Sequence, residues 1–353
     1  MSDNKFIVSS SPHLQAKHTT SAIMWNVVLA LLPAWIFGIY VFGLRALWLT
    51  IIAIATAALA EALIQKIRKV PVTITDGSAV ITGMLLAFNV PPGVPWWIVA
   101  IGSFIAIAIG KQVFGGLGHN PLNPALVGRA FVMASWPVAM TTEWIPPLGG
   151  SLSGAVGMDA VTGATPLTVL KLSRAKILDP DTAENLVAEA REAVALVYNA
   201  WPEMAIGRIG GCIGEVSAIL ILLGGLYLIL RGFSDWRTPI SYIAGVALLG
   251  WLLGGIGGIG SGHALFHIFS GGLFLGAFFM ATDMVTTPIT KSGRWIFGIG
   301  CAVLTMFIRR WGGYPEGVSY SILLMNIFTP IIDRHTRPRV FGTSRSKKGG
   351  DSK

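Results

Sequence analysis

A carboxylate inside an apolar stretch is costly to keep there, which makes Glu215 and Asp283 candidate functional residues in this chain. Asp283 follows Met280-Ala281-Thr282 and precedes Thr286-Thr287-Pro288, a polar break that suits an ion pathway. Glu215 is expected about two turns into the apolar run 207–230, and both residues are read as ion-path candidates. Glu61 and Asp333 fall near the ends of their runs and are expected to be solvated; Asp76 also marks a run's end. His263 and His267 stand one turn apart on one helix face, a spacing compatible with haem or a metal. No further ligand accompanies them, so packing or an interfacial position is the better reading. Cys212 and Cys301 are far apart with no CxxC partner, which points to buried free thiols.

Two further groups of polar residues sit where helices should begin. Asn120 and Asn123 precede Pro124, and Asn123 is placed to cap a helix that opens on that proline. Arg129, a turn and a half along, is positioned to neutralise an anion or to extend toward the membrane interface. In Asp159-Ala160-Val161-Thr162-Gly163-Ala164-Thr165-Pro166-Leu167-Thr168, Thr165 reads locally as an N-cap with Pro166 at the first helical position.

The elements that must hold these residues are membrane helices. Of 353 residues, 53% are hydrophobic and 12% charged, against about 25% charged in soluble domains. Forty-three glycines and 12 tryptophans suit close helix packing and the lipid–water boundary. Apolar runs occur near 22–42, 46–65, 77–90, 96–110, 124–140, 207–230, 239–256, 264–282, 295–308 and 318–332. The third, fourth and ninth are shorter than the roughly 20 residues a straight span needs, and are expected to be short or broken. The first follows a polar stretch with no small-residue cleavage site, so it is expected to remain as a span.

The net charge of +9 does not imply nucleic acid, because the cations form short clusters between apolar runs and in the tail. Lys66, Arg68, Lys69, Lys111, Arg231, Arg237, Lys291, Arg294 and the tail from Arg334 fall on one side; the short loops on the other hold only Arg45, Arg309 and Arg310. That bias places both termini in the cytoplasm. Residues 141–205 then lie on the outer face, with Glu143, Asp159, Asp179, Asp181, Glu184, Glu189, Glu192 and Glu203, and a helix expected over about 182–200.

The halves echo each other: Gly83-Met84-Leu85-Leu86-Ala87-Phe88 before Pro91 answers Gly276-Ala277-Phe278-Phe279-Met280-Ala281 before Pro288, and Gly115-Gly116 answers Gly312-Gly313. The reading is an all-α integral membrane protein of about ten transmembrane helices in two inverted five-helix repeats. Its parts are 1–140, a cytoplasmic tail and first repeat; 141–205, the outer segment; 206–335, the second repeat; and 336–353, a basic cytoplasmic tail.

Asp-x-x-[Ser/Thr]-Gly-Ala-Thr, here Asp159, Thr162, Gly163, Ala164 and Thr165, resembles the motif at which a flavin transferase attaches FMN by a phosphoester to the last threonine. With Gly115–Leu126 and Asp76-Gly77-Ser78-Ala79, it makes the chain similar over nearly its whole length to the RnfD/NqrB family, and in its compact length closer to the RnfD branch. These are the flavin-bearing membrane subunits of the Rnf and sodium-pumping NADH:quinone oxidoreductase complexes.

The resemblance implies covalent FMN at Thr165. It also implies a noncovalent riboflavin beside Asn120 and Asn123, whose amides offer donor and acceptor to an isoalloxazine edge, with Arg129 nearby. A phosphoester at Thr165 is compatible with the cap, since a helix N-terminus favours phosphate. The function implied is electron transfer coupled to Na+ or H+ movement between ferredoxin and NAD, in a prokaryotic inner membrane. The implied partners are the other Rnf subunits, including a second flavin-bearing subunit and iron–sulfur and NAD subunits. This chain has no Rossmann fingerprint and no cysteine cluster of its own. The alternatives are an NqrB-type subunit, disfavoured by the short N-terminal region, and a non-redox secondary transporter or channel, for which the motif is coincidence.

Overall fold

The computed structural model describes residues 18–145, 165–207, 209–215 and 217–338, and all regular structure among them is helical. Thr19 caps α1 (Thr20–Phe42) by accepting the Ala22 N–H. Gly43, at φ 74°, is the whole turn into α2 (Leu44–Ile67). Both helices are long and apolar enough to cross a membrane, and at 1.5 Å per residue each extends about 35 Å.

Asp76 then organises the next start: its Oδ1 accepts the Ser78 N–H (2.8 Å) and hydroxyl (2.6 Å), opening α3 (Ser78–Phe88). At 11 residues α3 is too short to span, and it is buried on almost every side. α4 (Trp96–Ile107) runs into a π-helical turn, Ala108–Gln112. α5 (Pro124–Ser135) and α6 (Pro137–Thr142) follow, broken from one another at Trp136.

A second, smaller core forms where α7 (Pro166–Leu178) packs on α8 (Glu184–Asn199), joined by α9 (Trp201–Ile206). Leu167, Leu170, Val194, Val197 and Met204 meet Phe266 there. The remaining helices are α10 (Ala218–Leu230), α11 (Arg237–Leu253), α12 (Ala264–Phe269), α13 (Leu273–Leu275), α14 (Lys291–Trp311) and α15 (Val318–His335). α13 passes directly into a second π-helical turn, Gly276–Met280.

Packing follows one scheme twice. α2 lies on α3 and α4, and α4 on α5; α11 lies on α12 and α14, and α14 on α15. The two sets meet where α1 lies on α10 and α5 on α15. Glycine permits the closest approaches: a Cβ on Gly83 would stand 2.7 Å from the Ala53 carbonyl oxygen of α2, and one on Gly224 would strike the Ala30 carbonyl of α1. Outward faces carry large apolar side chains, among them Ile36, Leu59, Leu223, Leu248, Phe307 and Ile327. Such a surface fits lipid rather than water, and the chain is a helical membrane protein.

Three expectations are corrected. The ninth run is an unbroken 21-residue helix, because Lys291 and Arg294 at one end and Arg309 and Arg310 at the other continue it beyond its apolar centre. Glu215 is not two turns into a helix: it ends a 3₁₀ turn, Ile213–Glu215, ahead of α10. Glu61 is not solvated, its side chain being 1% exposed and paired with Lys111.

Candidate functional site

One cavity, enclosing about 810 Å³ of space partly open to solvent, lies between α1, α3, the start of α5 and the second π turn. Asn120, Asn123, Ser78, Lys111, Phe279 and Asp283 are on its wall. Asn123 caps α5, its Oδ1 accepting from the Ala125 (3.1 Å) and Leu126 (3.4 Å) N–H groups. Its Nδ2 donates to the Met280 carbonyl (3.3 Å), tying the cap to the other half of the chain.

Asn120 is used differently. Its Nδ2 donates to the Leu122 carbonyl (3.1 Å), while its Oδ1 is buried and has no protein partner. A buried amide oxygen without a donor is a cost that a ligand N–H would remove.

The floor of this cavity is an ionic network. Lys111 Nζ donates to both Glu61 oxygens (2.7 and 2.8 Å) and to the Ser78 hydroxyl (2.6 Å). Gln65 and Gln112 also donate to Glu61 Oε1, at 3.1 and 3.2 Å. With charge matched and the lone pairs occupied, the pair meets the conditions under which buried ions are tolerated. Asp283 lines the same cavity, its Oδ2 accepting from the Thr286 hydroxyl (3.2 Å).

A second pocket, about 530 Å³ of partly open space, contains Thr165. Thr165 is the N-cap of α7; its Oγ1 accepts the Thr168 N–H (3.4 Å) and lies 2.9 Å from the Thr168 hydroxyl. Met133, Trp144 and the Tyr314–Tyr320 pair wall the pocket, the two tyrosine rings stacked with centroids 5.7 Å apart. Asp159, Thr162, Gly163 and Ala164 lie outside the described residues.

Arg129 belongs to this second pocket and not to the wall of the first, a correction to its grouping with Asn120 and Asn123. Helical rise explains it: six residues of α5 carry Arg129 about 9 Å beyond Asn123. Its guanidinium pairs with Glu316, donates to the Ser319 hydroxyl and reaches Asn89 Oδ1 at 3.1 Å. Glu316 in turn stands beside Glu215 and Cys212, with ligand atoms of all three within 4.8 Å of one another. The guanidinium already supplies a positive charge to that group. The two ion-path candidates are thus separated, Asp283 at the first cavity and Glu215 behind the second pocket.

Glu316, Tyr314 and Tyr320 were not singled out by sequence: Gly312–Gly317 reads as an ordinary loop and Tyr320 as one more residue of an apolar run, with no spacing to signal that they meet Arg129 of α5. His263 and His267 do not act as a pair. His263 caps α12 through the Phe266 N–H (3.3 Å) and stacks on Tyr198, whereas His267 is buried against Gly250 and Gly254.

Fold and cavities define a class: a helical membrane protein with polar residues held at short and broken helices inside it. Residues 7–342 match the model of the NQR2, RnfD, RnfE family, and the chain belongs to that family. It is 50% identical over 343 residues to the D subunit of the proton-translocating ferredoxin:NAD(+) oxidoreductase complex of Clostridium ljungdahlii, covering 97% of this chain and 98% of that one. It is 47% identical over 348 residues to the D subunit of the Na(+)-translocating ferredoxin:NAD(+) oxidoreductase complex of Acetobacterium woodii, covering 99% of each. The D subunit of the ion-translocating oxidoreductase complex of Stutzerimonas stutzeri is 40% identical, covering 94% of this chain and 95% of that one.

Proposed function

We propose that this chain is the D subunit of an ion-translocating ferredoxin:NAD+ oxidoreductase, carrying FMN on Thr165 and riboflavin in the Asn120 cavity. Relatives whose names state that activity match it nearly end to end, which supports the reading. The single observation that carries the flavin part is the position of Thr165. Its hydroxyl lies at the N-terminus of a 13-residue helix, on the wall of a pocket lined by Trp144, Tyr314 and Tyr320. A phosphoester there accepts the first-turn N–H groups and gains from the helix dipole, while the aromatic walls suit an isoalloxazine ring.

Bound flavin supplies one- and two-electron redox chemistry, and the protein supplies position and dielectric. Arg129 places a fixed positive charge beside the Thr165 pocket. Asn120 Oδ1 offers an acceptor to a ring N–H in the other cavity. Asp283 and Glu215 supply oxygen groups for Na+ or H+ on a path between the faces. The repeated packing scheme supports two repeats, which run inverted if each holds five spans. The lysine and arginine bias supports about ten spans in a prokaryotic inner membrane with both termini cytoplasmic and residues 141–205 outside. Its partners are then a flavin transferase, a second flavin-bearing subunit and the subunits that hold iron–sulfur centres and NAD.

The test is intact mass and in-gel flavin fluorescence of protein co-produced with the transferase. The wild type should carry one FMN less water, and Thr165→Ala should lose both signals; an unmodified wild-type Thr165 would end the flavin reading.

A further inference from the structure

A third pocket, small and partly open to solvent, lies between α7, α12 and α14 and has no part in the flavin reading. Lys171 and Arg174 from α7, Arg309 and Arg310 from α14 and His267 from α12 all line it. No Asp or Glu among the described residues does so, and none of the four cations is in a salt bridge within them.

The cations are held by neutral groups instead. Arg309 donates to the carbonyls of His267 (2.6 Å), Ser270 (3.0 Å) and Glu316 (3.0 Å). Lys171 Nζ donates to the carbonyls of Gly312 (2.7 Å) and Gly313. Such bonds fix Lys171 and Arg309 without an ion pair, and four cationic side chains line one space.

Polar groups are also left over. Arg174 Nη2 is buried with no partner, and the 2% exposed His267 packs on Gly254 with at least one ring nitrogen unbonded. The imidazole packs directly on Gly250 and Gly254, where a Cβ on Gly250 would stand 2.9 Å from its Cβ. An unsatisfied buried donor beside cations that form no salt bridge is the complement of a multiply charged oxyanion. Burial pushes the Lys171 ammonium below its ordinary 10.5, a cost that a bound anion would relieve.

We propose that this pocket binds a phosphate group, through Lys171, Arg174, Arg310 and His267. Its setting matches the depth of a lipid headgroup: Arg310 lies over the Trp311 ring at 5.8 Å, Trp311 is exposed, and Leu172 and Leu178 are exposed on the neighbouring α7. The same donors would take inorganic phosphate, and the two sources separate by experiment.

The full-length protein, delipidated in detergent, is titrated in native mass spectrometry with phosphatidylglycerol and with phosphatidylcholine, and in thermal unfolding with sodium phosphate against sodium chloride of equal ionic strength. A headgroup site retains phosphatidylglycerol about tenfold better than phosphatidylcholine, and Lys171→Gln/Arg174→Gln removes that preference while Lys171→Arg keeps it. A free-phosphate site instead shows a phosphate-specific rise in unfolding temperature with no lipid preference, abolished by the same double variant. Equal retention of both lipids together with no phosphate-specific shift in the wild type overturns the proposal, whether or not the variants fold. So does a response that the double variant leaves unchanged.

Discussion

Arg129 and Glu316, 187 residues apart in the chain, form a buried ion pair that fastens α5 to the loop ahead of α15. Their side chains are 5% and 12% exposed, so either one left alone keeps a charge out of water. Arg129→Gln is expected to destabilise the protein by about 3–5 kcal/mol, and more gravely than Glu316→Gln, because it leaves Glu316 facing Glu215. The double variant should recover part of that loss. Thermal unfolding of the four proteins checks the order, and a double variant worse than both singles would contradict the pairing.

Glu61 and Lys111 make the corresponding test at the first cavity. Each is 1% exposed, and Glu61 takes donors from Lys111, Gln65 and Gln112. Lys111→Met should cost about 3–5 kcal/mol, with Glu61→Gln/Lys111→Met clearly milder than the lysine change alone. The reading is again unfolding temperature, and additive effects would show that the contact carries no coupling.

Asn120 and Asn123 should part company when each is changed to alanine. Asn123→Ala removes an N-cap and the bond to Met280, and should cost about 1–2 kcal/mol. Asn120→Ala removes one bond to Leu122 and an oxygen with no partner, so its stability should change by less than about 1 kcal/mol. Noncovalent flavin released on denaturation should nonetheless fall in Asn120→Ala. Retained riboflavin in that variant would detach Asn120 from the cofactor.

Asp235 gives a pH dependence whose sign is fixed by its partners. Burial alone would raise its carboxyl, but the Arg237 N–H (2.8 Å) and the Arg294 guanidinium (2.6 Å) outweigh it and hold the group below its ordinary 3.8. A depressed carboxyl contributes stability above its unfolded value and loses it as pH falls through the folded one. The gap in unfolding temperature between wild type and Asp235→Asn should be steady near neutrality and close below pH 3.8. A gap that widens on acidification would reverse the assignment.

Local starts were the most legible part of this molecule. Asn123-Pro124 and Thr165-Pro166 each mark a helix N-terminus in sequence, and α5 and α7 begin there because cap and proline act within a few residues. What escaped the sequence depends on distant partners. Glu61 sits near the end of an apolar run like any solvated residue, and only Lys111, 50 positions on, makes its burial possible. Glu215 was misplaced because an apolar run carries no sign of where its backbone leaves the helix. The grouping of Arg129 with Asn120 and Asn123 followed nearness in sequence, whereas a helix moves its side chains along an axis and around it.

The π-helical turns at Ala108–Gln112 and Gly276–Met280 each close a hydrogen bond one residue further along than an α-helix would, Val113 N–H to the Ala108 carbonyl and Ala281 N–H to the Gly276 carbonyl. Shortening the first by a single amino acid would swing everything before it by roughly 100° and about 1.5 Å relative to everything after it. Lys111 lies within that turn, so the phase of one helix decides whether its ammonium meets Glu61 or a hydrocarbon neighbour. Chain length at this spot is therefore as tightly specified as residue identity, and an alignment that opens a one-residue gap there pairs positions that face different surroundings.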